Sequence, residues 1–463
     1  MASRQRPRGA LTESYEIPSV QLRRSKIPFY VMLASGISLA DLGRHADFIY
    51  RYSQYRLVMV GWTIFFLFTV LQWVLSWADK PVRVSQRQLQ RLDRLRVTVS
   101  VPVYNEDPGL LDRCIFSLLN QNRLPDRIDV VDDGSHVDYS ELRRHYEGVW
   151  PGRTLVTWRR QRNAGKKHAQ VNTFLNDRQA DIFVTIDSDT FLPPDGLDEG
   201  LKPFINRSVM SVAGIELAIN AGKNWLTRSV SSRSLFFQIV ACGAQSTFGD
   251  ILVNRGAYAL YRAELVRRVV PAYIGETFLG RPVRLGDDAA LTLFARMSGK
   301  AVQQSTAFAF TVYPEKLSHH FRQWIRWMRG STIRNCWRVR YLPIRSFSWW
   351  FTVLSLQTFI TSPLVLLLAA LNWPLSETFA EQSIAFSLVI AYLVGLRMFS
   401  IRRSDQSIWF QIGTYLIFPA ANLWGLLVLR PLRFYGIATF LRQGWNTRAT
   451  VEVPMGEVEP VSA

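Results

Sequence analysis

The run Ile182-Phe183-Val184-Thr185-Ile186-Asp187-Ser188-Asp189-Thr190 sets the architecture expected of everything around it. Its first five residues are apolar or β-branched, the composition of a strand buried on both faces, and two carboxylates stand where that strand should end. In an open α/β sheet, ligands bind beyond the carboxyl ends of the strands, so Asp187 and Asp189 are expected to face a cleft. Two carboxylates one residue apart on an unwinding strand can share a hard divalent cation, and Mg²⁺ or Mn²⁺ held in this way takes its other ligands from water and a diphosphate. A metal and nucleotide-sugar site is therefore expected here, although an ordinary turn is the commoner origin of Asp-x-Asp taken alone.

The totals point to a mixed protein. A hydrophobic share of 48% with 15 Trp and 28 Phe is high for a soluble enzyme, while 20% charged residues is too many for a chain that is all membrane, so a soluble domain joined to membrane spans is expected. The net charge of +19 raises nucleic acid as a partner, but the placement of the charges argues against it. Lys80, Arg83, Arg87, Arg91, Arg94 and Arg96 follow one apolar run, and a second basic series from Lys316 to Arg345 precedes another, with no acid between Lys316 and Ser376. Basic flanks against apolar runs are what a cytoplasmic domain lying on anionic lipids requires, and no nucleic-acid-binding signature accompanies them. Cys114, Cys242 and Cys336 have no metal-ligand spacing and read as reduced thiols. The polar, Arg-rich start shows no cleavable signal peptide.

Taken in order, residues 1–26 read as a loose basic cytoplasmic arm and 27–78 as N-terminal transmembrane or interfacial helices: Ile27 to Gly43 is short and contains Asp41, whereas Leu57 to Trp77 is uncharged. Residues 79–315 alternate strand and helix signals. Strands are expected at Val97–Val103, Ile128–Val131, Leu155–Trp158 and Asp181–Ile186, with helices at Pro108–Asn122, Tyr139–Glu147 and Lys167–Asp177. Such alternation implies a doubly wound, mostly parallel sheet. Residues 316–345 form amphipathic interfacial helices, 346–441 a second set of membrane helices, and 442–463 a cytoplasmic tail. In the second set, Trp349–Trp373 and Ser383–Phe399 read as spans, and Ile408–Leu429 resembles a third crossing in which Pro419, near its middle, permits either a broken helix or a hairpin.

Several clusters fall near the expected strand ends. Val101-Pro-Val-Tyr-Asn-Glu-Asp107 runs into a turn that brings Tyr104 and Glu106 to the cleft, and Val130-Val-Asp-Asp-Gly-Ser135 ends a strand on Asp132 and Asp133. Carboxylates at that position either accept from a uracil N–H or a ribose, or cap the next helix. Gly165-Lys166-Lys167-His168 opens a helix, where two cations beside a positive helix terminus favour a diphosphate and a solvated basic turn is the alternative. Gly286-Asp287-Asp288 precedes a helical run over Ala289–Met297; adjacent acids raise each other's pKa and so suit a general base, with helix capping as the plainer account. Gln323-Trp-Ile-Arg326-Trp327 lies in a helix rich in Arg and Trp, fit to stack on a sugar ring or to anchor at a membrane interface.

In this combination and order the motifs resemble those of the processive, membrane-integrated family 2 glycosyltransferases, most of all bacterial hyaluronan synthases. The matching stretches are those at 101–107, 130–135, 165–170 and 187–190, then 273–292 with Thr277-Phe-Leu-Gly280 and Gly286-Asp-Asp-Ala-Ala-Leu-Thr292. To these are added Gln-x-x-Arg-Trp ending at Trp327 and the late Trp445-Asn-Thr-Arg448. The resemblance implies a cytosolic GT-A domain on interfacial helices, with membrane helices forming a channel for the growing polysaccharide. It implies an inverting, processive UDP-sugar transferase of the plasma membrane, with UDP-GlcNAc and UDP-GlcA as donors and Mg²⁺ or Mn²⁺ as cofactor. Tyr104, Glu106, Asp132, Asp133, Lys166, Lys167 and Asp187 would bind the nucleotide, Asp187 and Asp189 the metal, and Asp288 would be the base with Asp287 beside it. Gln323, Arg326, Trp327, Asn254 and Arg255 would line the acceptor and leaving-group side, and Trp445 and Arg448 would gate the nucleotide. The alternatives are a chitin-oligosaccharide or other homopolymer synthase and, more remotely, an inactive polysaccharide-binding scaffold. In one place the pattern departs: where the hyaluronan synthases carry Cys/Ser-Gly-Pro, this chain has Val253-Asn-Arg-Gly-Ala257, which introduces the charge of Arg255 beside the expected sugar pocket.

Overall fold

The computed structural model describes residues 15–23, 56–371, 388–389 and 391–443. Its centre is an eight-stranded sheet. β1 (Val97–Val103), β2 (Arg127–Asp132) and β5 (Ile182–Ile186) are apolar and buried almost throughout, as strands covered on both faces must be. The remaining strands are β3 (Gly148–Val149), β4 (Leu155–Arg160), β6 (Val209–Ala218), β7 (Tyr258–Arg262) and β8 (Lys300–Thr311), in the spatial order β8-β6-β7-β5-β1-β2-β4-β3. All run in one direction except the edge strand β3 and the interior strand β7, each antiparallel to its neighbours.

Helices follow the strands as the apolar spacing predicts. α1 (Arg56–Ala78) precedes the sheet. α2 (Pro108–Leu119) starts on a Pro with the Asp107 side chain accepting from the Leu110 N–H, a sequence-encoded cap. α3 (Lys166–Asn176) and α4 (Trp225–Phe236) come next, and α5 (Asp287–Ser298) leads into β8. α6 (Leu317–Tyr341) and α7 (Phe347–Leu371) then leave the sheet.

The strand order makes β1 the point of reversal, because the chain proceeds outward through β2 and β4 and then returns to place β5 on the other side of β1. β1 pairs with β2 as far as Val103 but with β5 only as far as Ser100. Pro102, which has no N–H to donate, falls beyond the end of the β1–β5 ladder. The two strands part there, and a ligand crevice belongs at such a position.

Three apolar clusters hold this arrangement. The largest packs Val97, Val99, Val101, Ile128, Val130, Ile182 and Val184 against Leu111, Ile115 and Leu118 of α2. A second joins Ile215, Leu217, Phe308 and Phe310 of β6 and β8 to Trp73 of α1 and to Met398, Ile401 and Phe418 from the C-terminal part. The third lies beneath α3 and α5 and includes Phe174, Phe183, Tyr261, Tyr273 and Leu291.

Residues 15–23 are docked, unlike the loose arm expected of 1–26. Val20–Leu22 pairs antiparallel with Ile401–Arg403, and the Tyr15 hydroxyl donates to Asp112 of α2. An open strand edge and an aromatic side chain resting on Phe116 are enough to hold it. Among the described residues no single helix is long and apolar enough to cross a membrane, the apolar run counted for α1 being Phe66–Ala78. One pair, Ile408–Leu416 with Phe418–Ala438, passes by length and composition and is bent by 45°, with Pro419 in the first turn of the second helix as the expected break. Ile27–Gly43 lies outside the described residues, as do residues 383–387 and 390 of the run Ser383–Phe399.

Candidate active site

The end of β1 is fixed by a lattice of hydrogen bonds. Asn105 adopts φ +48°, its N–H donates to Ser135 Oγ, and its side-chain oxygen accepts from the His136 N–H. Glu106 is buried, with its backbone clasped by the Tyr139 hydroxyl and Oε2 accepting from Ser188 Oγ at 2.8 Å. Glu106 thereby ties the end of β1 to the residue between Asp187 and Asp189. Tyr104 stays half-buried at the same edge.

The two acids ending β2 are engaged within the chain. Asp132 accepts from the Ser135 N–H and lies 3.4 Å from Arg160. Asp133 accepts from Gln161 Nε2, the Ala164 N–H and the Gly165 N–H at 2.7–2.9 Å. Both of its oxygens hold the loop that launches α3. Gly134, at φ +78°, has no room for a Cβ, which would lie 2.9 Å from the Asn163 nitrogen.

That loop delivers Lys166 to the centre of the site. Its Nζ donates to Asp187 Oδ1 at 2.5 Å and lies 3.5 Å from Asp287 Oδ2. Burial works against the ammonium charge, but Asp187 and Asp287 outweigh it and hold the pKa above the ordinary lysine value. A Cβ placed on Gly256 would lie 3.0 Å from Lys166 Nζ and 3.9 Å from both Asp187 Oδ2 and Asp288 Cβ. Three residues, from α3, the end of β5 and the start of α5, therefore meet around one glycine just ahead of β7. Asp187 keeps 35% of its side chain exposed, so it faces open space as the sequence predicts. Asp189 is nearly buried, with the Thr190 and Thr311 hydroxyls each 3.4 Å from Oδ1.

The acid pair opens α5 from Gly286 at φ +72°. Asp288 is pushed up to about 6, by burial first and then by the charge of Asp287. For Asp287 burial acts in the same upward sense but is overcome, chiefly by Lys166, so its carboxyl lies below the ordinary range. Asp287 is buried and is approached by Gln170 Nε2 at 3.4 Å, itself held by the Tyr273 hydroxyl. Within this pair Asp287 carries the charge, and Asp288 is the member whose proton is exchangeable near neutrality.

α6 brings Gln323, Arg326 and Trp327, the residues expected to line the acceptor side, onto neighbouring turns. Arg326 is close enough to act on the charge of Asp287, and Trp327 is 44% exposed. Asn254 is fully buried behind the site. Its N–H donates to Thr292 Oγ1, whose hydroxyl donates to the Asp288 carbonyl, and its side-chain amide makes no hydrogen bond. Arg255 does not present a free charge: its guanidinium lies 3.2 Å from Glu216 Oε2 and 2.6 Å from Ser234 Oγ. Lys167 is directed away from Lys166 to Glu276, which also binds Arg334. Glu216 and Arg334 fall in none of the motif stretches singled out in the sequence; Gln170, Glu276 and Gly256 lie inside such stretches but carry no role there, because the partners that reveal it lie far away along the chain. Trp445 and Arg448 lie outside the described residues.

No group of three or more His, Cys, Asp or Glu among the described residues is arranged to hold a metal ion. The donor set suited to a hard cation is the carboxylate pair Asp187 and Asp189. Two carboxylates fit Mg²⁺ or Mn²⁺ only where substrate oxygens and water complete the shell.

Comparison with known proteins agrees with this fold. The model of glycosyl transferase family 2 matches residues 98–270. A hyaluronan synthase of Streptococcus pyogenes is 32% identical over 365 residues, which is 77% of this chain and 84% of that protein. An N-acetylglucosaminyltransferase of Azorhizobium caulinodans is 26% identical over 362 residues, 76% of this chain and 87% of that one. Among solved structures, a mannosyltransferase from Pyrobaculum calidifontis in complex with GDP-Man and Mn²⁺ aligns with a TM-score of 0.54 at 21% identity, covering 80% of this chain and 98% of the other. The GT-A fold expected from the motifs is the fold observed.

Proposed function

Because the chain belongs to glycosyl transferase family 2 and is a glycosyltransferase, we propose that it is an inverting, processive enzyme that polymerises sugars from UDP-sugar donors, using UDP-GlcNAc and UDP-GlcA as a hyaluronan synthase does. The observation that carries this reading is the meeting of Lys166, Asp187 and Asp288 around Gly256, a cation and two acids from separate elements at one crevice. Family membership alone would not identify the groups that act.

In the proposed reaction Asp288 takes the proton from an acceptor hydroxyl. The freed oxygen attacks the anomeric carbon on the face opposite the nucleotide, and the bond from that carbon to the diphosphate oxygen breaks with its electron pair leaving on UDP. Lys166 turns from Asp187 toward the departing diphosphate and balances its charge. Asp287 stays ionised, holding Lys166 in place and keeping the pKa of Asp288 high enough for it to act as a base. Asp187 and Asp189 would hold Mg²⁺ or Mn²⁺, which when bound supplies positive charge to the diphosphate. Gln323, Arg326 and Trp327 orient the acceptor, Tyr104 and Asp132 border the nucleotide, and Asp133 acts through the loop it anchors.

Transfer of the polymer across the plasma membrane, with the catalytic domain on the cytoplasmic side and basic flanks against anionic lipids, completes the proposal. It is supported by the charge pattern on either side of the apolar runs. A second reading, synthesis of chitin oligosaccharides or another homopolymer, is favoured by one observation: Arg255, the extra cation beside the sugar pocket, is already paired with Glu216. The two readings separate when purified protein in lipid is given radiolabelled UDP-sugars singly and in pairs, followed by linkage-specific glycosidases. Polymer formed only from the pair supports the first reading, and polymer formed from one donor supports the second. Release of UDP from neither would refute both.

A further inference from the structure

Lys166 and Lys167 are adjacent, yet their side chains go to different places. Lys166 reaches Asp187 at the crevice, whereas Lys167 Nζ donates to Glu276 Oε2 at 2.5 Å and to the Val283 carbonyl at 3.0 Å. Glu276 receives a second cation from the opposite side, Arg334 of α6, through two parallel bonds of 2.5 and 2.7 Å. Arg334 is fully buried. Its Nη2 also donates to the Leu285 carbonyl, and its Nε lies 3.4 Å from where a Cβ on Gly286 would stand. The Val283 N–H returns to the Glu276 carbonyl, closing a loop whose tip is the hairpin Thr277–Phe278 with Arg281–Pro282. From the far side, Gln443 Oε1 accepts from the Arg284 and Leu285 N–H groups. Apart from the Lys166–Asp187 contact, each of these bonds ends on the Glu276 side chain or on backbone between 276 and 286, the run that enters Gly286-Asp287-Asp288.

Resting on the glycosyl-transfer reading above, we propose that Lys167, Glu276 and Arg334 form a buried positioning triad that fixes the turn carrying Asp287 and Asp288, and that of the two lysines only Lys166 serves the donor diphosphate. A lysine already bridging a buried carboxylate and a carbonyl would have to break both bonds to reach a ligand, and Glu276 would then face Arg334 alone. Bidentate Arg–carboxylate geometry provides the rigidity such a role needs. The triad joins three elements: α3, which bears the donor lysine; the turn into α5, which bears the base; and α6, which bears Gln323, Arg326 and Trp327. An error in its placement is therefore expected in turnover rather than in donor binding.

The charges give a signature that simple loosening does not. The triad holds two cations and one anion beside Asp287. The groups acting on or sensing Asp288 are Asp287, Lys166 from α3, Asp187 from the end of β5, Tyr261 from β7 and Arg338 from α6. Glu276→Gln leaves Lys167 and Arg334 unneutralised near the acid pair, which favours the ionised carboxylates. The acid limb of the kcat profile then moves to lower pH.

The test compares Lys166→Gln, Lys167→Gln, Glu276→Gln and Glu276→Asp in the full-length protein in lipid. Lys166→Gln is expected to weaken UDP binding about tenfold, the loss of one charge-assisted bond. Lys167→Gln and Glu276→Gln leave UDP affinity within about twofold but lower kcat by about tenfold to a hundredfold, the scale of a small misplacement of a reacting group. Glu276→Gln also shifts the acid limb downward, while Glu276→Asp, which keeps the charge, leaves that limb in place. Amide hydrogen exchange over residues 283–288 should rise in Lys167→Gln and Glu276→Gln without any substrate. Weakening of UDP binding by Lys167→Gln equal to that by Lys166→Gln would overturn the proposal, as would unchanged exchange and kcat in Glu276→Gln. A wild-type protein that consumes no UDP-sugar would instead sink the glycosyl-transfer reading, and the exchange measurement would still decide the triad.

Discussion

Replacing Asp288 by Asn removes one proton acceptor and little else. Asp288 Oδ1 accepts from the Ala289 N–H at 2.7 Å, a bond the Asn side-chain oxygen can keep, and the Asp288 carbonyl still receives the Thr292 hydroxyl. The first turn of α5 should therefore survive. A positioned general base contributes about 10² to 10⁴ in rate, so kcat should fall by that factor, equivalent to about 2.7 to 5.5 kcal/mol of barrier. UDP affinity should hold, because Lys166 and Asp187 are untouched. The pH dependence supplies an independent check. The carboxyl of Asp288 is raised to about 6 by burial and by Asp287, and a base works only when deprotonated. In the wild type kcat should be flat above that pH and fall about tenfold per unit below it. Removing the neighbouring charge with Asp287→Asn should move this limb downward, since the larger of the two carboxylate charges that raise the pKa, those of Asp287 and Asp187, is gone. A coupled assay of UDP release across the pH range, with UDP affinity measured separately, reads all three quantities. An Asp288→Asn enzyme keeping more than about a tenth of wild-type kcat, or a wild-type limb near the ordinary carboxyl range, would refute the assignment of the base.

Asp189→Ala should abolish the rise in UDP affinity produced by Mn²⁺ while metal-free binding persists, so identical Mn²⁺ titrations for variant and wild type would remove Asp189 from the cation site. Arg255→Ser leaves Glu216 buried without its counter-ion, a loss of about 3 kcal/mol for a broken buried pair. Burial already raises the Glu216 pKa despite Arg255; with the guanidinium gone it rises further, so stability should decline as pH rises from the ordinary glutamate range through the new value. A melting temperature independent of pH would count against this. Gly214→Ala would place a Cβ 2.2 Å from the Tyr258 ring, an overpacking that should cost about 1–3 kcal/mol, and an unchanged unfolding midpoint would show that β7 yields more readily than its packing implies.

What could be foreseen followed from local pattern. The acids at 187–189 and 287–288 were legible because a strand or helix boundary sits directly beside them. The strands at 97–103, 127–132 and 182–186 were legible because burial on both faces leaves unbroken apolar runs. The direction of Lys167 was not legible, because it depends on the phase of α3 and on Glu276, 109 residues away. Arg255 was read as a free charge for the same reason, since Glu216 lies on another strand. Asp133 looked like a ligand to the nucleotide because a carboxylate at a strand end can serve either role; only the placement of the 161–165 loop shows which donors reach it. The docking of residues 15–23 had no local signal either, because the edge that receives them is formed by residues 401–403.

The antiparallel strand β7 shows how such non-local choices create the site. Tyr258, its first residue, pairs with Ile186, the last of β5, so Gly256 arrives immediately beside Asp187. Had β7 run with its neighbours, its first residue would lie at the opposite edge of the sheet, about 13 Å away for four steps along a strand. The register is held by the Tyr258 side chain, which is fully buried and donates to the Gly196 carbonyl. It occupies space left by Gly200 and Gly214, where a Cβ would come within 2.3 and 2.2 Å of it. Two residues earlier, the missing side chain of Gly256 leaves the space through which Lys166 reaches Asp187. A larger residue there would have to displace the lysine Nζ, 3.0 Å from the first added carbon. The glycines around Tyr258 thus set where Gly256 stands, and Gly256 sets whether Lys166 and the acid pair can share one crevice.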